Sequence, residues 1–142
     1  MHKRFAQLGF TLIELLVVIS IIAILMALGT ASYTTAQKKG RDAKREADMK
    51  SLQSAMEQYN SLHGAYPTDS NCAATDIEEV LPAGFPTDPK TGNDYYRACE
   101  ATGSTYCICG ELDQADTGNS MDSACNFGTG TGADYYCVTN LQ

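Results

Sequence analysis

The chain has 142 residues, and its net charge of −7 is unevenly spread, with twelve Asp and Glu after Asn60 against only Lys90 and Arg97. An acidic C-terminal half repels phosphate backbones, which disfavours a general nucleic-acid-binding role for it, and no direct nucleic-acid contact is predicted. The first quarter is too apolar for an ordinary soluble surface, so the globular part is confined to about residues 60–142, where a core is marginal without covalent staples.

His2, Lys3 and Arg4 precede an apolar run from Phe10 to Leu28 whose one charge is Glu14. At about 1.5 Å per residue this run spans roughly 29 Å, the thickness of a bilayer core. The basic residues ahead of it stay cytoplasmic by the positive-inside rule, and the remainder faces outward. An ordinary secretory signal would use Leu15 to Leu28 and be cut near Gly29-Thr30-Ala31, and a plain anchor would remain uncut. Neither accounts for Glu14, because an acid in an apolar span costs a few kcal/mol and calls for a partner or a function.

Lys38 to Lys50 carries six bases (Lys38, Lys39, Arg41, Lys44, Arg45, Lys50) against Asp42, Glu46 and Asp48. This mixed stretch reads as a solvated helix face, with contact to anionic lipid headgroups as the alternative. Beyond it, Met49, Leu52, Ala55, Met56, Tyr59 and Leu62 recur at spacings of three and four, the apolar face of an amphipathic helix that packs on a small sheet. A helix from Phe10 to about Leu62 is roughly 80 Å long and must protrude from so small a domain. Its first half is apolar on all sides and requires a bilayer or other copies of itself.

The helix is expected to end near His63-Gly64, with Pro67 beyond it. Asp76 to Leu81 is a short-helix candidate, and Leu81 to Pro89 is a loop. Asp94–Cys99, Ser104–Leu112 and Tyr135–Thr139 predict a three-stranded antiparallel sheet. Cys72, Cys99, Cys107, Cys109, Cys125 and Cys137 form an even set on the exported side, so three disulfides are expected among fifteen possible connectivities. Cys107 and Cys109 share one strand face and need separate partners. Zinc is disfavoured by the lack of a C-x-x-C pair and by the placement of His2 and His63.

The loop Asp113 to Asp122 offers hard oxygen ligands, and Asp113, Asp116, Asn119 and Asp122 are the calcium candidates; a solvated acidic turn is the other reading. Gly128 to Gly132 lacks the lysine and following helix of a phosphate-binding loop. His63 has no evident nucleophile, and Glu78 and Glu79 face different directions on a helix, so no enzyme is predicted and no cofactor is required.

Lys3-Arg4, followed by Gly9-Phe10-Thr11-Leu12-Ile13-Glu14-Leu15-Leu16-Val17-Val18-Ile19, resembles the class III signal of type IV pilins and type II secretion pseudopilins. The resemblance is close over residues 3–60 and includes Arg41-Asp42-Ala43-Lys44-Arg45, the helix Leu52 to Tyr59 and the exit Gly64-Ala65-Tyr66-Pro67. It implies an α+β fold of the type IV pilin kind, a long N-terminal helix packed on a small antiparallel sheet with a disulfide-rich C-terminal region. It also implies a leader over 1–9, a transmembrane and assembly half of the helix over 10–32, an amphipathic half over 33–63 and an exported globular domain over 64–142.

By the same resemblance, a prepilin peptidase cuts between Gly9 and Phe10, Phe10 is N-methylated, and Glu14 meets the N-terminus of a neighbouring subunit during assembly. Major pseudopilins bind calcium in a C-terminal loop, which is where the four oxygen-bearing candidates lie. Many type IV pilins carry a proline near the end of the span; the corresponding position here is Ala31, although Gly29, Thr30 and Ser32 are weak helix formers. The implied partners are identical subunits in a helical filament, the peptidase, an inner-membrane assembly platform and, before assembly, membrane lipid. The implied location is the cytoplasmic membrane for the precursor and an extracellular or periplasmic filament afterwards. The alternative is a secreted or membrane-anchored disulfide-rich binding module that forms no filaments.

Overall fold

The computed structural model describes residues 9–69, Cys72, Ile77 and 79–141. Residues 1–8 of the expected leader lie outside them. So does part of the Asp76–Leu81 helix candidate, of which Ile77 belongs to a tight turn closed by the Val80 and Leu81 amides donating to its carbonyl. The chain divides into two units, residues 1–37 and 38–142.

Helix α1 (Leu12–His63) is continuous over 52 residues. In the first unit its large apolar side chains from Leu12 to Leu28 are 47–89% exposed, so they have no core of their own. The most apolar window has a mean hydropathy of 2.8, and the helix is long and apolar enough to cross a membrane. The polar side chains in this part are satisfied locally, as hydrocarbon requires: Ser20 Oγ donates to the Val17 carbonyl at 2.8 Å and Thr30 Oγ1 to that of Ala27 at 3.2 Å. Gly29, Thr30 and Ser32, weak helix formers by propensity, stay helical.

In the second unit α1 ends where Gly64 adopts a positive φ of 77° and its amide donates to the Asn60 carbonyl at 2.7 Å. A glycine just past the last turn accepts this left-handed conformation without a Cβ penalty. Three strands follow: β1 (Tyr96–Cys99), β2 (Tyr106–Glu111) and β3 (Tyr135–Thr139). They form an antiparallel sheet in the order β1-β2-β3. Register pairs Arg97 with Ile108 and Cys109 with Cys137. β3 has the bounds expected from sequence, whereas β1 and β2 are shorter than their signals: Asp94 instead makes an isolated bridge to Thr87, and Gly103 turns the β1–β2 connection with a φ of 68°.

The core forms where the apolar stripe of α1 (Met49, Leu52, Met56, Tyr59) meets Tyr106 and Ile108 of β2 and Val138 of β3, together with Tyr66, Ile77 and Tyr95. Alternation along β2 assigns its two faces. Tyr106, Ile108 and Gly110 take one side; a Cβ on Gly110 would meet the Tyr95 ring at 3.3 Å and Arg45 at 3.7 Å. Cys107 and Cys109 take the other.

The reading of Lys38 to Lys50 as a solvated face is corrected at three positions. Asp42, Arg45 and Asp48 are buried, whereas Lys38, Lys39, Lys44 and Lys50 are exposed. Arg45 bonds Asp42 through Nη1 at 2.7 Å and Asp88 through Nε at 2.6 Å. Asp42 accepts the backbone amides of Asp113 at 2.7 Å and Gln114 at 3.0 Å. Asp113 is held by Arg41 at 2.5 Å and Lys90 at 2.8 Å, and Asp48 accepts from Tyr95 Oη at 2.9 Å. The charges are buried because the segments around Asp88 and Asp113 fold back over this turn of α1. Local charge density carries no trace of that return.

A second polar anchor lies further along α1. Glu57 accepts from Tyr66 Oη at 3.0 Å, Tyr106 Oη at 3.3 Å and the Leu141 amide at 3.1 Å. One turn before it, Gln53 Nε2 donates to the Thr139 carbonyl at 2.8 Å. Together the two side chains fasten β3 and the residues that follow it to the helix.

Candidate functional site

The residues singled out for processing and assembly fall at the start of α1. Gly9 and Phe10 are exposed and precede the helix. Among the described residues, no atom beyond Gly9 and its chain neighbours lies within 4 Å of the position a Cβ on Gly9 would take, so the backbone there is open to an approaching catalyst.

Glu14 is exposed and engaged by Thr11. The Thr11 amide donates to Glu14 Oε2 at 2.8 Å, Thr11 Oγ1 donates to the same oxygen at 2.7 Å, and the Glu14 amide donates back to Thr11 Oγ1 at 3.3 Å. This is a reciprocal capping box, which satisfies amides that a helix start otherwise leaves without partners. Sequence reasoning assigned Glu14 to assembly and passed over Thr11. The signal was present, because threonine followed three residues later by glutamate ahead of an apolar run marks a helix start.

The four calcium candidates are dispersed into separate internal contacts. Asp113 belongs to the Arg45 network. Asp116 accepts the Gly132 amide at 2.5 Å, and Asn119 bonds the backbone of Cys137 through both ends of its amide at 2.9 and 2.7 Å. Asp122 accepts from the Ala124 amide at 2.8 Å and from Asn126 Nδ2 at 2.5 Å. Among the described residues, the one group of three His, Cys, Asp or Glu side chains with converging ligand atoms is Cys107, Cys109 and Cys125. Those sulfurs are committed to disulfides.

The electrostatics of the Arg45 network follow from its contacts. Burial pushes the Asp113 carboxyl upward, but bonds from Lys90 and Arg41 and the charge of Arg45 outweigh it and hold the pKa at about 2. Burial likewise opposes ionisation of Asp88, and the Arg45 bond with the Thr91 and Lys90 amides holds it well below the usual carboxylate range. Burial raises Tyr95 and Tyr106, and the neighbouring Asp48 and Glu57 carboxylates raise them further.

The cysteines pair as Cys72–Cys99, Cys107–Cys125 and Cys109–Cys137. The first ties the segment after α1 to β1. The second fastens the excursion between β2 and β3, and the third links those strands directly across their register.

Residues 4–30 match the family model described as the prokaryotic N-terminal methylation motif. The chain is 29% identical over 146 aligned positions to the type II secretion system core protein G of Vibrio cholerae, covering 94% of this chain and 93% of that protein. It is 36% identical over 63 positions to the competence protein ComGC of Halalkalibacterium halodurans, covering 44% of this chain and 62% of that protein. With its long N-terminal helix, small antiparallel sheet and C-terminal disulfides, the chain is type IV pilin-like and pseudopilin-like in sequence and in fold.

Proposed function

We propose that the chain is a structural subunit of a type IV pilus or pseudopilus filament. It is cut by a prepilin peptidase after Gly9, methylated at Phe10 and assembled through its apolar helix. The observation that carries the reading is an exposed apolar helix headed by the methylation motif. Cleavage on the cytoplasmic side of the apolar run leaves that run on the mature protein. The helix then rests in lipid before assembly and against sister helices afterwards, in a heterologous interface that does not close.

Cleavage also creates an amine on Phe10, and Glu14 is its counter-charge. Between neighbouring subunits such a pair selects the axial register, because a misplaced acid in the apolar bundle keeps its Thr11 bonds but is left without a counter-charge. It does so even where desolvation cancels most of its net contribution to stability. The partners are identical subunits, the peptidase and an inner-membrane assembly platform, and the route runs from the cytoplasmic membrane to an extracellular or periplasmic filament.

Mass spectrometry of the mature N-terminus, with negative-stain microscopy of fibres, tests this. A chain beginning at N-methylated Phe10 and present in fibres is expected. A chain beginning at Ser32, or an uncut one, points instead to an anchored or secreted binding module. Gly9→Leu blocks processing. Glu14→Ala is processed yet gives no filaments, and normal filaments from it remove the assembly role of Glu14.

A further inference from the structure

Two of the disulfides lie side by side on the face of β2 away from the helix. Cys109 Sγ is 3.6 Å from Cys107 Sγ and 3.7 Å from Cys125 Sγ, so each bond is within van der Waals contact of the other. Their exposures differ: Cys107 and Cys125 are half-buried, whereas Cys109 and Cys137 are 1% and 2% exposed. The outer bond is open to a reagent and the inner one is shielded. We propose that the four cysteines form a thiol-exchange site, with Cys107–Cys125 the entry point for an external dithiol and Cys109–Cys137 its internal acceptor.

The chemistry selects one direction. An external thiolate attacking Cys107 Sγ forms a mixed disulfide there, breaks the Cys107–Cys125 bond and leaves Cys125 as a thiolate. Cys125 attacks Cys109, forming Cys109–Cys125 and expelling Cys137, which takes up a proton. The second thiol of the reagent then closes on its own sulfur and releases Cys107. The reagent leaves as a disulfide, and its two electrons reside in the Cys107 and Cys137 thiols.

Attack at Cys125 is less productive. The freed Cys107 would have to bond Cys109 two residues along the same strand, where Cα atoms stand about 6.8 Å apart, the limit of disulfide reach. Direct closure of Cys107 with Cys137 is also disfavoured. Cys107 pairs with Thr139 in the register, so Cys137 is its diagonal neighbour, and such diagonals span about 7–8 Å.

The test uses the full-length chain in detergent, limiting dithiothreitol, acid quenching and alkylation with N-ethylmaleimide. Cleavage before aspartates separates Cys125, in residues 122–133, from Cys137, in residues 134–142. Residues 94–112 hold Cys99, Cys107 and Cys109 together, so fragment ions locate label and link within them. The expected result is alkylation of Cys137 rising with that of Cys107, Cys125 labelled less than Cys107, and residues 94–112 bonded to 122–133 through Cys109 in place of Cys107. In the Cys109→Ala/Cys137→Ala double variant, Cys107 and Cys125 label equally. Labelling of the wild type confined equally to Cys107 and Cys125 overturns the relay, and so does labelling that reaches Cys72 and Cys99 at the same rate, which marks global unfolding.

Discussion

Glu14 and Arg45 are both charged side chains on α1, and the groups around them differ in kind. Glu14 is bonded by its own helix start, so Thr11→Val removes two of its hydrogen bonds. Amide exchange at Ile13 to Leu15 in micelles is expected to quicken by about five-fold, the scale of a lost cap, and Thr11→Ser restores protection. Arg45 joins Asp42 and Asp88 and lies 3.6 Å from Asp113. Arg45→Met leaves buried carboxylates uncompensated and lowers stability by about 3–5 kcal/mol, read as a fall in the urea midpoint.

The same network sets a pH dependence. Asp113 and Asp88 have folded-state pKa values below their unfolded ones. Their contribution is therefore present above the unfolded value of about 4 and is lost as pH falls through about 2 for Asp113. Thermal melts are expected to hold level down to about pH 4 and to drop below it. A melting temperature unchanged between about pH 4 and about pH 2 would rule this out.

Strand β2 is covered on both faces, by α1 on one side and by the disulfide-tied excursion on the other. Ile108 is fully buried, so Ile108→Ala costs about 2–5 kcal/mol, measured as a lower urea midpoint. The excursion returns against β3 so closely that a Cβ on Gly118 would stand 2.1 Å from the Tyr135 carbonyl oxygen. Gly118→Ala must displace backbone there, and the expected outcome is a lower thermal midpoint with loosened Ser120, whose amide donates to the same carbonyl at 3.0 Å. Hydrogen exchange at Ser120 measures it.

The second unit, taken as one body, is small and relies on covalent closure. Removing Cys72–Cys99, which spans 27 residues, costs about 3–4 kcal/mol by loop entropy, and Cys72→Ala/Cys99→Ala is expected to unfold at lower urea. The long helix, the three strands and the apolar span were legible from residue order alone, because each is written in local periodicity and in glycine and proline stops. Thr11 with Glu14 was legible for the same reason, as a spacing of three on one helix start. The burial of Asp42, Arg45 and Asp48, the pairing of the cysteines and the directions of the acidic loop residues emerged only from the folded chain. Those outcomes depend on which distant segments return to the helix and to β2. Asp42 and the Asp113 amide it holds are 71 positions apart, and no local pattern encodes a contact over that separation.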